Sequence, residues 1–471
     1  MGFSVMRTNL AETLRTAQQL RRRNPDLHIT FGGHEATHGY REILTSCPAV
    51  DSVVLGEGEH TLLELSRSLS KAQDWRQLPG IARADGSGSV VSNAPRTSIG
   101  DLDSLPFPDR GLYSSYLHRR REAVIYSSRG CCGTCSFCGI HSFYGLHGGR
   151  RWRARSARHV VDEIAALVDR YGVNSIDFVD DDFVGPGQRG RSRAFEIGSE
   201  ILSRGIGVSY SILCRPDNID GELLRHLKMS GLYRVDIGIE SWIPRQLALY
   251  CKHTTPERNW RAIRALEDVG LDYTIYLIPF DPYLTAGELL ATYKMCRRVG
   301  LEHIPVSSLC NRLRVTQDSC LHMTLARDES LNWVRPQGLE RRILYGFRHQ
   351  EGAITFSYAE RIRDLYTGYI GPLFDSIAGD ELLPVRRFLL SVDVAIRHLV
   401  IEGCEAGLRQ LSAGSISAGV ESFGRLLEGL ESDLQTLTQE FQKARQGEYQ
   451  EIAVAIGSHA LRFHGSTAAI L

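Results

Sequence analysis

Three cysteines close together in the sequence could hold a metal centre. Cys131, Cys135 and Cys138 form the pattern CxxxCxxC. Three thiolates from one loop can ligate a [4Fe–4S] cluster and leave one iron without a protein ligand, whereas electron-transfer clusters usually have four cysteine ligands. An iron with a free position can bind a substrate or a cofactor. The spacing therefore predicts a cluster that takes part in chemistry.

Two other uses of this segment remain open on spacing alone. A structural zinc ion needs four protein ligands, and Cys132 or His141 could supply the fourth. Alternatively, Cys132 could be the true ligand in a CxxC pair. The cysteines outside this segment are scattered singly along the chain, so we expect them to be buried thiols that pack like small apolar residues.

The elements around the cysteines alternate between strand and helix patterns. An apolar strand at residues 123–126 precedes the cysteine segment, and further strand candidates follow it with helix patterns between them. These candidates are residues 175–179, 207–213, 234–239, 272–278 and 303–308. Six strands separated by helices predict a partial (β/α)6 barrel, and an open doubly wound sheet is the alternative. In such a barrel the cysteines would follow the first strand, at the end where barrel active sites lie.

The sequence divides into four predicted regions. Residues 1–74 contain three βα units, which are typical of a small doubly wound α/β domain, and residues 75–122 form a connector. Residues 123–320 form the barrel, and residues 321–471 form a mainly helical region. The predicted fold class is therefore α/β, with a helical C-terminal region.

Composition narrows the range of partners. The chain has 471 residues, of which 55 are basic and 55 are acidic, so no net charge attracts nucleic acid or an anionic membrane. No apolar run approaches the ~20 residues of a membrane span, and the N-terminus lacks the pattern of a signal peptide. We therefore expect a cytoplasmic protein that binds neither nucleic acid nor a membrane.

Several motifs resemble those of one enzyme superfamily. The segment Ser128-Arg129-Gly130-Cys131, with Cys135, Phe137 and Cys138, resembles the signature of radical S-adenosylmethionine (SAM) enzymes, including the aromatic residue before the third cysteine. Other motifs resemble the subfamily in which a cobalamin-binding domain precedes the barrel. These are Gly32-Gly33-His34, Gly56-Glu57-Gly58-Glu59, Asp101-Leu102-Asp103-Ser104-Leu105-Pro106, Trp152-Arg153-Ala154-Arg155-Ser156, Phe178-Val179-Asp180-Asp181-Asp182-Phe183, Arg215 with Asp217, and Gly238-Ile239-Glu240-Ser241. The resemblance covers roughly residues 1–320.

The resemblance implies a set of cofactors and residues that bind them. SAM would bind the free iron of the cluster and be cleaved to a 5′-deoxyadenosyl radical, which abstracts a hydrogen atom from the substrate. An electron donor such as flavodoxin or ferredoxin would reduce the cluster. By motif position, Phe137 belongs to the cofactor-binding segment, and Asp180 and Asp181 would lie near the SAM amino group. The residues expected near its carboxylate or ribose are Arg215, Glu240 and Ser241.

Polar side chains near the carboxyl ends of the predicted strands are candidates for substrate handling. The catalytic candidates are Tyr144, Tyr276, Asp281 and Asn311, and two further polar candidates are His141 and Arg312. Each of them could instead serve the fold. Polar groups that converge on one pocket suit a substrate such as an amino sugar or an aminoglycoside.

The first domain departs from the family pattern, and this departure shapes the predicted function. Its three βα units correspond to the later part of a complete cobalamin domain, and a half-sheet offers less surface to so large a cofactor. We therefore expect no functional cobalamin. Members without cobalamin resemble dehydratases, dehydrogenases or epimerases that act on sugars and aminoglycosides in antibiotic biosynthesis, so we predict a dehydratase of the lyase class. The alternatives are a cobalamin-dependent C-methyltransferase and a zinc-bound scaffold without catalytic activity.

Overall fold

The computed structural model of the chain describes residues 1–145, 150–316, 319–334, 341–376, 383–412 and 416–444. Two sheets with parallel strands and flanking helices are followed by a mostly helical region. This arrangement confirms the predicted α/β fold class.

The first domain is a five-stranded sheet with helices against it. The strand order is β1-β2-β3-β4-β5, in which the first three strands pair in parallel and the last two form an antiparallel hairpin. The strands are β1 (Gly2–Ser4), β2 (Thr30–Gly32), β3 (Ser52–Val54), β4 (Ile81–Ala84) and β5 (Val90–Ser92), and the helices are α1 (Leu10–Arg23), α2 (His34–His38), α3 (Tyr40–Ser46) and α4 (Glu59–Ser70). Apolar side chains such as Ile29, Phe31 and Val53 are fully buried in its core.

The predicted connector, residues 75–122, contributes to this sheet. Strands β4 and β5 lie within it and extend the sheet past residue 74. Two 3₁₀ turns, Leu102–Ser104 and Gly111–Tyr113, and helix α5 (Ser114–Arg120) then lead to the second sheet.

The second sheet has five parallel strands in the order β12-β11-β10-β9-β6. Between β6 and β9 in the chain, strands β7 and β8 form a separate antiparallel hairpin. The strands are β6 (Glu122–Ile125), β7 (Ser128–Gly130), β8 (Trp152–Ala154), β9 (Ser175–Phe178), β10 (Ser209–Cys214), β11 (Leu232–Glu240) and β12 (Asp272–Leu277). The helices are α6 (Ile140–Gly145), α7 (Ala157–Tyr171), α8 (Gly187–Ser203), α9 (Gly221–Met229), α10 (Pro244–Leu249), α11 (Pro256–Val269) and α12 (Ala286–Val299). Five of the six predicted barrel strands are thereby confirmed.

The sixth predicted strand, residues 303–308, is wrong. A 3₁₀ turn at Leu301–His303 and helix α13 (Val306–Leu309) occupy this segment. Pro305 lies between them; it lacks an N–H for a strand ladder, and its fixed φ suits the residue that precedes a helix. Just after β12, where a sixth strand would pair, the chain forms an isolated parallel β-bridge between Phe280 and Arg312.

Local signals set the bounds of the helices that surround the barrel. The Ser156 hydroxyl accepts a hydrogen bond from the His159 N–H at the start of α7, and Gly172 ends this helix with φ of 66°. Helix α12 begins with a reciprocal capping box between Thr285 and Glu288. These caps orient the helices whose apolar faces pack on the sheet.

The C-terminal region packs against the barrel helices. Its elements are β13 (Val315–Thr316), α14 (Cys320–Leu325), β14 (Trp333–Val334), β15 (Arg342–Tyr345), α15 (Gln350–Leu365), α16 (Gly371–Ser376), α17 (Leu383–Ser412) and α18 (Ile416–Ala444), with a π-helical turn at Tyr366–Ile370. Tyr293 of the barrel and Ile396 and Cys404 of α17 belong to one buried apolar cluster. Within the described ranges, no helix is both long and apolar enough to cross a membrane.

Candidate functional site

The three predicted cluster ligands lie in the loop between β7 and α6. Strand β7 pairs with β8 in an antiparallel hairpin, which fixes the start of the loop. Gly130 ends β7 with φ of 81°, and a side chain there would overlap the carbonyl oxygen of Arg151 on the approach to β8. The glycine before the first cysteine is therefore required by the backbone of the hairpin.

The structure brings the three cysteines to one cavity of about 500 Å³. Cys135 is buried and Cys131 and Cys138 are half-buried, whereas Cys132 is exposed and does not line this cavity. The Arg215 guanidinium lies 3.6 Å from the Cys135 sulfur, so a cation stands beside the thiol group. Three thiols and a nearby cation suit an iron–sulfur cluster with thiolate ligands.

The cavity opens at the carboxyl ends of the barrel strands, as barrel active sites do. The predicted site residues that line it are Cys131, Cys135, Phe137, Cys138, Asp180, Asp181, Arg215, Glu240 and Tyr276. A larger cavity of about 820 Å³ lies between α4 and β6 and is lined by apolar residues such as Leu63 and Phe107. It contains none of the three cysteines, so we assign the chemistry to the smaller cavity.

The acidic residues after β9 differ in their contacts. The buried Asp180 carboxylate accepts hydrogen bonds from the Ser127 N–H at 3.1 Å and the Ser127 hydroxyl at 2.9 Å, and it also accepts one from Ser128. Burial raises the pKa of Asp180. Asp181 accepts from the Gly130 N–H at 3.0 Å, and burial raises its pKa to about 6. Asp180 therefore ties β9 to the strand before the cluster loop, and Asp181 keeps an oxygen available at the cavity.

A buried ion pair, Glu240 with Lys252, also lines the cavity of the three cysteines. The Lys252 ammonium lies 3.1 Å from a Glu240 carboxylate oxygen, and both side chains are largely buried. Burial lowers the pKa of Lys252, but the charge and hydrogen bond of Glu240 together with the nearby Cys135 outweigh it and raise that pKa. Arg215 donates to Asp217 at 2.7 Å and to the Lys252 carbonyl at 2.8 Å. The sequence did not single out Lys252, which follows helix α10 and belongs to none of the motifs.

Two predicted site residues serve buried contacts outside the cavity. Asp281 accepts hydrogen bonds from Arg245 at 3.0 and 2.7 Å and from the Gln246 amide at 2.7 Å. The Ser241 hydroxyl donates to the Gln246 side-chain oxygen. Both side chains thus fasten α10 to the ends of β11 and β12.

Two further candidates also lie away from the cavity. The Asn311 amide donates to the Leu277 carbonyl at 3.1 Å, next to the bridge that follows β12. The Tyr144 ring lies 5.4 Å from the Arg153 guanidinium and packs edge-on to His34 of the first domain. Burial raises the Tyr144 pKa. Tyr144 therefore lies where the first domain meets the cluster loop.

The carboxyl edge of the first sheet faces the cluster loop. The His34 ring, directly after β2, stacks on Phe143 of α6 with 3.7 Å between ring centres. A cavity of about 340 Å³ lies here, lined on one side by His34 and His38 and on the other by Cys138 and His141. A group held at this edge would therefore lie beside the third cysteine.

Family models match both the barrel that carries the cysteines and the first domain that packs on it. Residues 125–296 match the radical SAM superfamily, and residues 1–66 match the B12 binding domain. Residues 125–296 therefore form a domain of the radical SAM superfamily. The N-terminal domain is of the cobalamin-binding type, as the motifs before the barrel indicated.

Curated relatives align with part of this chain. An uncharacterized methyltransferase of Pyrococcus horikoshii is 28% identical over 306 residues, which are 64% of this chain and 65% of the relative. The anaerobic magnesium-protoporphyrin IX monomethyl ester cyclase of Rubrivivax gelatinosus is 32% identical over 307 residues, 63% of this chain and 54% of the relative. The chain thus spans between about half and two thirds of the length of these relatives.

Solved structures share the fold. The cobalamin-dependent SAM radical enzyme OxsB, solved with aqua-cobalamin and SAM, is 16% identical with a TM-score of 0.76, over 99% of this chain and 76% of that one. The radical SAM methyltransferase TsrM from Kitasatospora setae is 18% identical with a TM-score of 0.59, over 72% of this chain and 68% of that one. At these identities the likeness establishes the architecture alone.

These findings correct the predicted function. The prediction of a dehydratase that works without cobalamin is wrong, because residues 1–66 match a B12 binding domain and the relatives named above are a methyltransferase and a cyclase. The expectation of no functional cobalamin rested on three βα units that form only half a sheet. The match of residues 1–66 to a B12 binding domain argues against that expectation, and the hairpin of β4 and β5 extends the sheet to five strands.

The residues at the interface of the two domains fit cobalamin. Its peripheral amides need hydrogen-bonding partners, and imidazoles of His34 and His38 and the hydroxyls of Ser136 and Ser142 line the cavity there. Gly33 has φ of 93° and leaves the end of β2 without a side chain. The cavity of about 340 Å³ accommodates a portion of so large a cofactor.

Proposed function

We propose that this chain is a cobalamin-dependent radical SAM enzyme that transfers a methyl group to a carbon atom of a small molecule. The observation that carries the proposal is the apposition of two sites: the carboxyl edge of the B12-type sheet packs on the loop of the three cysteines, with His34 stacked on Phe143. A methyl carrier held at this edge would face the place where SAM is expected to bind.

In this proposal the three cysteines hold the cluster, and the residues around them hold SAM. When bound, the cluster supplies an electron to SAM and cobalamin supplies a carrier for the methyl group. The Asp181 carboxylate, which accepts a hydrogen bond from the Gly130 N–H, would also accept one from the SAM amino group. Arg215 and the Glu240–Lys252 pair provide charges for the SAM carboxylate and ribose.

The cobalamin site in this proposal is the interface between α2 and α6. His34 and His38 lie on the first domain, and Ser136 and Ser142 lie on the loop and helix of the cysteine segment. Their side chains would orient the cofactor and exclude water from the gap. We further propose that flavodoxin or ferredoxin delivers electrons, because the cluster loop reaches the surface at the exposed Cys132.

The test is reconstitution of the full chain under anaerobic conditions with iron, sulfide and hydroxocobalamin. After desalting, the absorbance of the protein should report bound cobalamin. Incubation with methyl-labelled SAM, a reductant and a panel of small-molecule substrates should then place the label on a carbon atom of one product. The label should appear only when both cobalamin and the reductant are present.

The matched control is the triple variant in which Cys131, Cys135 and Cys138 are alanine. It should bind cobalamin and transfer no label, because the first domain is intact and the cluster is absent. Failure of the wild-type protein to retain cobalamin, or product that forms without a labelled methyl group, would refute the proposal.

A further inference from the structure

The interior of the barrel below the cluster loop contains several polar and charged side chains. In a closed barrel this space is filled mainly by valine, isoleucine and leucine. Here Ile212, Val235 and Ile237 are buried toward the surrounding helices, and alternate residues of the same strands face the interior. The polar interior positions on β9 to β12 are Asp177, Ser211, Arg234, Asp236, Thr274 and Tyr276, and Leu213 and Gly238 are in phase with them.

From this lining we infer that the substrate carries a protonated amine, which binds between the carboxylates of Asp177 and Asp236. The inference rests on the proposed function, because it describes the substrate of the same cavity. It assigns two binding residues, Asp177 and Asp236, that the motifs did not indicate.

The carboxylate of Asp236 lacks a full set of partners. Its Oδ1 atom is shielded from solvent and has no hydrogen bond to any residue in the described part of the chain. The nearest cation to Oδ1 is the Arg234 Nε atom at 3.4 Å, the Tyr276 hydroxyl lies 3.4 Å from Oδ2, and the Thr274 side chain also donates to this carboxylate. A buried carboxylate oxygen without a donor is costly, so a donor supplied by a ligand would be favourable.

Asp177 adds a second negative charge to the same space. It accepts a hydrogen bond from the Ser211 hydroxyl. Asp177 and Asp236 together outnumber Arg234 among these interior residues, which leaves an excess of negative charge there. Burial and the charge of Asp177 both raise the pKa of Asp236, whereas Arg234 lowers it. An ammonium group would neutralise the excess and satisfy the free oxygen.

The position of these carboxylates suits a substrate that reacts at the cluster end of the cavity. Asp177, Asp236 and Tyr276 line the same cavity of about 500 Å³ as the three cysteines. An amine held by the carboxylates would point the rest of a small molecule toward the carboxyl ends of the strands. Tyr276 is 37% exposed, so its ring can contact the ligand directly.

The test uses the full chain reconstituted with cluster, cobalamin and SAM at pH 7. The probes are glucosamine, tyramine and spermidine, each compared with its N-acetylated counterpart, and binding is measured by calorimetry. At least one amine should bind, and loss of its charge on acetylation should weaken binding about tenfold or more. Asp236→Asn and Asp177→Asn should each weaken the amine to a similar extent.

Two controls keep the outcome interpretable. Asp169→Asn changes an exposed carboxylate on α7 and should leave amine binding unchanged. SAM affinity should be retained in both interior variants, which shows that the barrel is folded. Equal binding of the acetylated probes, unchanged binding in the interior variants, or no binding of any amine at millimolar concentration would overturn the inference. Failure of methyl transfer with amine binding intact would instead refute the proposed function.

Discussion

The guanidinium of Arg153 donates two parallel hydrogen bonds to the carboxylate of Glu57, from Nη1 to Oε2 at 2.9 Å and from Nη2 to Oε1 at 3.1 Å. Glu57 belongs to the first domain, whereas Arg153 is on β8. Arg129 on β7 also donates to Glu57, at 2.9 Å. One carboxylate therefore fixes the B12-type domain to both strands of the hairpin that leads into the cluster loop.

Glu57→Gln should destabilise the protein, because it leaves the buried guanidinium of Arg153 without its anion. Removing one partner of a buried ion pair costs about 3–5 kcal/mol. The measurement is the free energy of unfolding in urea. Glu64→Gln is the control, because Glu64 pairs with Arg96 at a position where the carboxylate is 42% exposed. That change should cost about 0–1 kcal/mol, and equal losses in the two variants would contradict the prediction.

The same contact predicts a dependence of stability on pH. Burial would raise the Glu57 pKa, but hydrogen bonds from Arg153 and Arg129 outweigh it and hold the pKa below the ordinary value of 4.5. A carboxyl with a lowered pKa in the folded state stabilises the protein above its unfolded pKa, and this contribution is lost as the pH falls. The difference in unfolding free energy between wild type and Glu57→Gln should therefore shrink below about pH 4.5. A difference that stays constant down to pH 3 would contradict this.

The predicted cofactor-binding residues outside the cluster loop that line the cavity follow strands. Asp181, Arg215 and Glu240 each come at or just after the end of a barrel strand, and parallel strands bring their carboxyl ends together. Lys252 could not be found this way, because it follows a short helix and reaches the cavity through a turn. Cys251 and His253, on either side of Lys252, have positive φ, and no pattern in the sequence predicts this conformation.

The first domain shows a second limit of sequence reasoning. Val53 pairs with Ala82 across the antiparallel contact of β3 and β4, which are separated by helix α4 and a loop. The hairpin turn at Asp85-Gly86-Ser87-Gly88 could be seen in the sequence, but its docking on β3 is a long-range contact that periodicity does not encode. The sequence therefore predicted a smaller sheet than the five-stranded one that the structure shows.

Gly130→Ala should prevent assembly of the cluster. An alanine side chain would overlap the Arg151 carbonyl, and φ of 81° is strained for any residue with a Cβ. The hairpin must open to relieve both, which displaces Cys131. Iron and sulfide content after anaerobic reconstitution should therefore fall well below that of the wild type.

Gly139→Ala provides the comparison on the other side of the cluster loop. No described atom lies within 4 Å of a side chain built there, so this variant should reconstitute normally. If Gly130→Ala holds as much iron as Gly139→Ala, the hairpin does not fix the loop in the way argued here.

Single alanine variants should separate the cluster ligands from their neighbour. Loss of Cys131, Cys135 or Cys138 removes one of three thiolates that converge on the cavity, so each variant should lose the iron and sulfide of the [4Fe–4S] cluster. Cys132→Ala should retain them, because Cys132 is exposed and lies outside the cavity lining. The measurement is iron and sulfide per chain. Stoichiometric zinc in place of iron would contradict the assignment.

Glu240 and Lys252 should act as one unit in binding SAM. Glu240→Gln leaves the Lys252 ammonium buried without its anion, and Lys252→Met leaves the carboxylate in the same state. Each single variant should weaken SAM binding by ~1–3 kcal/mol, about 5- to 150-fold, measured by equilibrium dialysis with the cluster in place.

The double variant distinguishes a coupled pair from two separate contacts. Replacing both residues removes the uncompensated charge that each single change creates, so the double variant should bind SAM more tightly than the sum of the two losses predicts. Asn259, which donates to the carbonyl oxygens of Ile239 and Ser241 on the same wall, supplies the comparison for simple distortion of β11. Asn259→Asp should show additive losses with Lys252→Met, and additivity within the Glu240–Lys252 pair itself would contradict a shared role.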